Sequence, residues 1–310
     1  MPDTVSPAVA AALTGLIDYA GLFPPAALSV DDALRGYGSA QDGSVPWLLG
    51  RFIAPASRLD ELRAARGTEA LAVSAIVDGG ADPRRWFDLT HAAIAGLAAY
   101  AAGSIRVESI EVPLPPLASA RETYGATIGQ LAAAIARDGL DDVAIYVELV
   151  RDARWTTSLE DAMTSLARHG LAAKVRCGGA TADAYPSCEE LAAFVIAAVR
   201  AGVPFKATAG LHHPVRRLDP QTGILMHGFL NLLAASLVAL HEDDPMGVES
   251  ALGEEDAGAF TFGEEHFSWR DRRYDVAALA RARNRGLVAY GSCSFDEPVA
   301  DLAAMGVRLA

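Results

Sequence analysis

Seven short apolar runs rich in β-branched residues recur along the first two thirds of this chain, with longer Ala/Leu-rich amphipathic segments between them, and few folds accommodate that rhythm. The runs are Leu16–Gly21, Trp47–Ala54, Leu71–Val77, Ile105–Val112, Val143–Val150, Ala172–Arg176 and Phe205–Thr208. The segments after the first six are Ser29–Ser39, Ser57–Ala65, Pro83–Ala102, Arg121–Arg137, Ser158–Arg168 and Ser187–Arg200. Strand then helix, repeated, requires parallel strands joined by right-handed crossovers. Strands apolar at most positions belong in a sheet whose outer face is covered. Ser29, Ser57, Ser158 and Ser187 offer N-cap hydroxyls ahead of acidic residues, and Gly103, Gly139, Gly170 and Gly202 close helices.

The pattern predicts an α/β fold, a (β/α)8 TIM barrel formed as a single domain over residues 1–310; such a barrel needs about 250 residues. An open doubly wound sheet is the alternative. It is disfavoured because the turn after the first strand, Gly21-Leu22-Phe23-Pro24-Pro25, lacks the GxGxxG of dinucleotide-binding folds. No P-loop and no short-period repeat is present. Residues 211–225 read as a long loop inserted after strand seven, at the active-site end of such a barrel. Gly228–Leu240 predicts a helix and the acidic Glu242–Gly258 a loop. Two stretches compete for strand eight, Phe260–Trp269 and Leu287–Tyr290. The expectation is Phe260-Thr261-Phe262, followed by a helix over Asp275–Asn284, with Leu287 onward a C-terminal extension of a less regular 242–310 region.

A net charge of −13 and no basic stripe argue against a nucleic-acid partner. Arg216-Arg217 and Arg270-Asp271-Arg272-Arg273 are only local basic spots. Apolar runs such as Leu230–Leu240 are too short to span a bilayer, so no membrane role is expected. Cys177, Cys188 and Cys293 are odd in number, widely spaced and without a CxxC. That fits a reducing cytoplasm and neither a disulfide framework nor a zinc site. The opening Met1-Pro2-Asp3 puts no basic segment ahead of the apolar Ala8–Leu16 stretch, so no signal peptide is expected.

The chemistry is concentrated in the lysines. Only Lys174 and Lys206 are present, against 24 arginines, and both lie in predicted strands. Arginine stays charged, whereas a desolvated lysine can lose its proton and act as a nucleophile or base. In parallel barrels the C-terminal strand ends build the active site. Those ends offer Asp18 from strand one, Glu108 and Glu111 from strand four, and Glu148 from strand five. Strand six offers Lys174 and Arg176, and strand seven offers Lys206 and Thr208, followed by His212 and His213. Charges inside apolar strands need partners, and these can pair. Glu108 alternates to the face opposite Glu111, where Arg106 is its natural partner.

Read in order, these strands resemble the class I deoxyribose-phosphate aldolases. Leu16-Ile17-Asp18-Tyr19-Ala20-Gly21-Leu22-Phe23-Pro24 is similar to that family's opening Ile-Asp-His-Thr-x-Leu-x-Pro. Ile110-Glu111-Val112 resembles its acidic strand-four motif, with Glu111 where the family carries Asp, and Val147-Glu148-Leu149 resembles its Leu-Glu-Thr. Lys174-Val175-Arg176-Cys177-Gly178 resembles Lys-Thr-Ser-Thr-Gly, and Phe205-Lys206-Ala207-Thr208-Ala209-Gly210 resembles Val-Lys-Ala-Ser-Gly-Gly. The resemblance implies that Lys174 is a Schiff-base lysine and that Lys206 is the second cation that lowers its pKa. It implies that Glu111 is a proton relay and that Asp18 supports Lys206. Glu148, Arg176, Gly178, Thr208, Gly210 and His212 are the candidate substrate contacts.

Departures from the family restrict what carries over. Arg176 replaces a small hydroxyl residue and adds a fixed charge for a carboxylate or phosphate. Ala209-Gly210 stands for Gly-Gly, and the family's phosphate-binding Gly-Thr-Ser-Ser-Gly has only a faint echo in Gly291-Ser292-Cys293-Ser294. The expected substrate is therefore a small carbonyl compound other than deoxyribose 5-phosphate, handled without cofactor or metal. Two rival readings stand beside it. One is a metal-dependent hydrolase, lyase or isomerase with His212, Glu148, Glu111 and Asp18 as ligands; the other is a barrel that only binds a small molecule. The sequence leaves homo-oligomerisation open.

Overall fold

Eight parallel strands close into a barrel in the computed structural model, which describes residues 5–80, 82–100, 103–116, 123–138, 140, 143–220 and 222–310. The first seven strands are β1 (Ile17–Tyr19), β2 (Leu49–Pro55), β3 (Leu71–Ile76), β4 (Ile105–Pro113), β5 (Ala144–Glu148), β6 (Ala172–Arg176) and β7 (Phe205–Thr208). Helix α1 (Pro7–Leu13) precedes β1. The crossovers are α2 (Val30–Asp42), α3 (Leu59–Arg66), α4 (Pro83–Leu97), α5 (Tyr124–Arg137), α6 (Trp155–Arg168) and α7 (Cys188–Arg200). Gly139, residues 1–4, 101–102 and 121, all used in the sequence reading, lie outside the described residues.

Local chemistry explains most boundaries. Ser29 and Ser187 cap α2 and α7, and Ser187 with Glu190 forms a reciprocal capping box. Ser57 and Ser158 are not caps. A 3-10 turn over Ala56–Arg58 leads into α3, and α6 starts at Trp155, so the Ser158 hydroxyl donates to the Trp155 carbonyl within the helix.

The last third departs from expectation in three places. First, the 211–225 segment carries a short hairpin of β8 (Arg217–Leu218) and β9 (Leu225–Met226). Second, after α8 (Phe229–His241), the acidic stretch is not simply loop. Asp244 caps a further helix, α9 (Pro245–Gly253), and Glu242 pairs with Arg272. Residues 229–238 of α8 are all buried, as expected of a helix apolar all round, and α9 is one of the elements packed on it.

Third, the closing strand is not Phe260–Phe262. Those residues form β10, which pairs antiparallel with β11 (His266–Trp269), itself paired with β12 (Arg272–Asp275), in a separate three-stranded sheet. After α10 (Val276–Arg285), β13 (Leu287–Ser292) pairs parallel with both β7 and β1 and closes the barrel, ahead of α11 (Asp296–Ala304). The physical difference is cover. Thr261 is exposed in β10, whereas β13 is buried at all but one position, as a strand between barrel interior and helical layer must be. Leu287 onward is therefore part of the barrel and not an extension. Among the described residues no helix is long and apolar enough to cross a membrane.

Candidate active site

Strand register brings the two lysines together. Lys174 on β6 lies directly opposite Lys206 on β7, and Glu148 on β5 lies opposite Lys174. Their flanking residues Ala173, Val175, Phe205 and Ala207 are buried apolar side chains, so the pleat turns both lysines to the other face, into the barrel.

Carboxylates meet them there. The Lys174 amine is 2.6 Å from Glu111 Oε2 and 2.8 Å from Glu148 Oε2. The Lys206 amine is 2.5 Å from Asp18 Oδ2 and 2.6 Å from Glu111 Oε1. Glu111 thus bridges the two amines. Asp18 is held from the other side by the Arg51 backbone N–H, which donates to Oδ1 at 2.6 Å. A Cβ at residue 50 would lie 2.3 Å from that oxygen, so glycine there is required by Asp18. Glu108 pairs with Arg106 as expected, and also with Arg51, but it does not simply alternate away from Glu111. Val107 opposes Val73 while Ser109 opposes Ser74, and this one-residue irregularity in the β3–β4 ladder breaks the alternation at Glu108.

Two serines complete the cluster. Ser74 on β3 donates to Glu111 Oε1 at 2.7 Å and accepts from Lys206 at 3.2 Å. Ser109 on β4 donates to the Ser74 hydroxyl at 2.7 Å. The Tyr146 ring lies under Lys206, its centroid 5.2 Å from the amine. Sequence reasoning missed Ser74, Ser109 and Tyr146. The available signal was two hydroxyls inside otherwise apolar barrel strands.

Three carboxylates and two amines leave one negative charge in excess. Burial alone would lower the Lys174 pKa, but the attraction of Glu111 and Glu148 outweighs it and the net shift is upward. Lys206 is raised in the same way, by Asp18 and Glu111 against burial. Burial pushes Glu111 up, yet the two ammonium groups hold it well below the usual carboxylate range. The expectation that Lys206 would depress the Lys174 pKa is therefore reversed in the resting site. The shared carboxylate wins over the second cation.

The amines differ in access. Lys206, Asp18 and Glu111 are fully buried, whereas Lys174 touches Glu148, whose side chain is 15% exposed. Above Lys174 on the same strand, Arg176 is exposed, and its register partner on β7 is the half-buried Thr208. The turns that follow the two strands pack on each other. A Cβ at Gly178 would lie 2.9 Å from Gly210 Cα, and Gly210 has φ +66. These two glycines set how closely the strand ends approach. Cys177 is buried, which pushes its thiol up to about 12 and leaves it unreactive.

The histidines lie elsewhere. His212 Nδ1 is 3.1 Å from Glu297 Oε2 and 3.9 Å from Cys293 Sγ, and His213 meets Asp301 at 2.5 Å. Both tie the post-β7 segment to α11 and its preceding turn; among the described residues no hydrogen bond or ion pair joins either to the lysine cluster. The contact with Cys293 raises His212 to about 9, burial opposing and Glu297 adding. His227 is buried with Nε2 on the Pro186 carbonyl at 2.7 Å. Among the described residues no three His, Cys, Asp or Glu side chains are grouped to hold a metal ion. Of the ligands considered for a metal, Glu111 and Glu148 sit on Lys174 while His212 sits on α11.

No known protein-family profile matches the chain, and no curated protein matches it by sequence. Among solved structures it is similar to the tetrameric deoxyribose phosphate aldolase from Aeropyrum pernix. The TM-score is 0.52 at 11% identity, over 96% of this chain and 93% of that one. At that identity the likeness is one of fold, and it extends over the whole barrel.

Proposed function

We propose that this chain is a lysine-dependent carbon–carbon lyase of the aldolase type, acting on a small carbonyl compound, with Lys174 forming the Schiff base. The observation that carries this reading is the pair of buried lysines, in register on neighbouring strands and bridged by Glu111. The barrel architecture shared with an aldolase supports it. Lys174 is the better nucleophile candidate because it is the amine nearer the mouth, with a partly exposed carboxylate beside it.

An ammonium cannot attack a carbonyl. Lys174 therefore first passes a proton to Glu148, 2.8 Å away. The freed amine adds to the carbonyl carbon, and a proton returned to the carbinolamine oxygen lets it leave as water. The iminium carries the positive charge that the ammonium carried, so Glu111 and Glu148 stabilise it in place. Glu148, again a carboxylate, takes the proton of the substrate's β-hydroxyl. The oxygen's electron pair forms the carbonyl of the departing fragment, and the α–β carbon–carbon bond breaks with its pair moving into the iminium to give an enamine. Protonation of the enamine carbon and hydrolysis of the imine restore the amine. Glu111, in contact with both amines, relays protons from Lys206 toward the reacting carbon, with Ser74 fixing its orientation.

The substrate is best read as unphosphorylated. Barrels of this kind often bind phosphate after strands seven and eight, at a helix N-terminus. Here α11 opens with Asp296 and Glu297, which repel an anion. Its preceding turn is closed on itself: Ser292 Oγ donates to the Ser294 carbonyl at 2.6 Å and Ser294 Oγ accepts from Glu297 N at 3.3 Å.

Lys174→Arg is the direct test. Arginine keeps the charge but forms no iminium, so cleavage should disappear while thermal unfolding stays cooperative. Near-normal turnover in that variant would refute the assignment.

A further inference from the structure

We propose that Arg176 is the substrate's carboxylate anchor and that the carbonyl compound taken by this site is a short oxo acid; the inference rests on Lys174 being the imine-forming amine. Lys174 and Arg176 are two residues apart on β6. Side chains at that spacing share a face of the strand with about 6.6 Å between their Cα atoms. A ligand of roughly three to six carbons can therefore put a carbonyl at the amine and a carboxylate at the guanidinium.

Arg176 is exposed and makes no ion pair or hydrogen bond among the described residues. Three arginines that follow barrel strands at the same end are committed. Arg151 pairs with Glu190, Arg154 with Asp152 and Arg216 with Glu255. Arg176 is thus open to a ligand's carboxylate beside the acidic cluster. It also has a use, because the lysine site carries one negative charge in excess and an anionic substrate needs a fixed cation to enter it.

A second observation points to a ligand at the same place. The Thr208 hydroxyl, on the strand-register partner of Arg176, is buried and has no hydrogen-bond partner among the described residues. Buried hydroxyls are almost always satisfied, and one left open is commonly completed by a ligand or water. A guanidinium fork beside a hydroxyl donor matches the two oxygens of a carboxylate. The acids at the start of α11 disfavour a phosphate at that helix end.

The test is borohydride trapping of wild type and Arg176→Gln with pyruvate and with acetone, scored as Lys174 adduct by peptide mass spectrometry. The ratio of pyruvate to acetone adduct should fall by about tenfold or more in the variant, and Arg176→Lys should retain part of it. An unchanged ratio in Arg176→Gln overturns the anchor, as does a wild type that traps glyceraldehyde 3-phosphate in preference to oxo acids. If neither compound marks Lys174 in either protein, the imine reading has failed, and calorimetric titration with pyruvate decides the anchor separately. Binding weakened about tenfold or more by Arg176→Gln sustains it; equal binding to both proteins, or none to wild type, overturns it.

Discussion

Lys174 and Lys206 face each other in register across β6 and β7, and their amines share one carboxylate, each 2.6 Å from a different oxygen of Glu111. Two buried ammonium groups tolerate this arrangement because each has a further acid of its own, Glu148 for Lys174 and Asp18 for Lys206. The consequence is a resting site in which both amines are held protonated. Activation then depends on moving one proton off Lys174.

The two lysines should differ in what their loss costs the fold. Lys206→Met strands the fully buried Asp18, which loses its ion-pair partner while Glu111 keeps Lys174, and should destabilise by about 3–5 kcal/mol. Lys174→Met should cost clearly less, because Glu111 keeps Lys206 and Glu148 reaches solvent. Denaturant unfolding of both variants checks the order, and a larger loss for Lys174→Met would contradict the geometry.

Glu111→Gln removes the charge that holds both amines up. The Lys174 pKa is raised in the fold, so its ion pairs stabilise fully below the ordinary lysine pKa and that contribution is lost only as pH rises through the elevated value. Wild-type adduct formation should accordingly keep climbing into alkaline pH. In Glu111→Gln the pH profile of adduct formation should move acidward while cleavage falls by about 10²–10⁴-fold. A profile that stays put would show that Glu111 does not control the amine.

Close approach of the strand ends makes a third prediction. Gly178→Ala and Gly210→Ala push a Cβ to within 3.0 Å of backbone atoms and should each cost about 1–3 kcal/mol, together with loss of trapping. Gly170→Ala is the control. It has φ +65 with nothing within 4 Å, so only the roughly 1–2 kcal/mol backbone strain applies and trapping should survive. Equal trapping by all three variants would remove Gly178 and Gly210 from the site.

His227 supplies a pH signature of the fold. Burial lowers its pKa to about 4. A depressed folded value means the neutral ring stabilises above the ordinary histidine pKa and that this is lost as pH falls toward about 4. Between those limits wild type should lose on the order of a few kcal/mol more than His227→Gln. Parallel stability curves for the two proteins would contradict the burial argument.

Much of this was legible in the residues. Seven strands and their crossovers follow from apolar periodicity, and the charged residues Asp18, Glu111, Glu148, Lys174 and Lys206 stand out inside them because such groups need partners. The closing strand was not legible, because Phe260–Phe262 and Leu287–Ser292 are equally β-like. Only knowing which one is covered on both faces separates them. Ser74 and Ser109 look like ordinary strand serines until Glu111 is placed against them. His212 reads as a site residue from its nearness to Lys206 in sequence, but the chain turns it to Glu297. The direction of the lysine shifts depends on where one carboxylate sits between two amines, which lysine spacing does not encode.

Imine formation at Lys174 is read out by borohydride reduction of the wild-type protein with a panel of small aldehydes, ketones and oxo acids, followed by peptide mass spectrometry. With only two lysines in the chain, the adduct site is read without ambiguity. A stable adduct should form on Lys174 and none on Lys206. An unmodified Lys174 across the panel, or an adduct confined to Lys206, would contradict imine formation at Lys174.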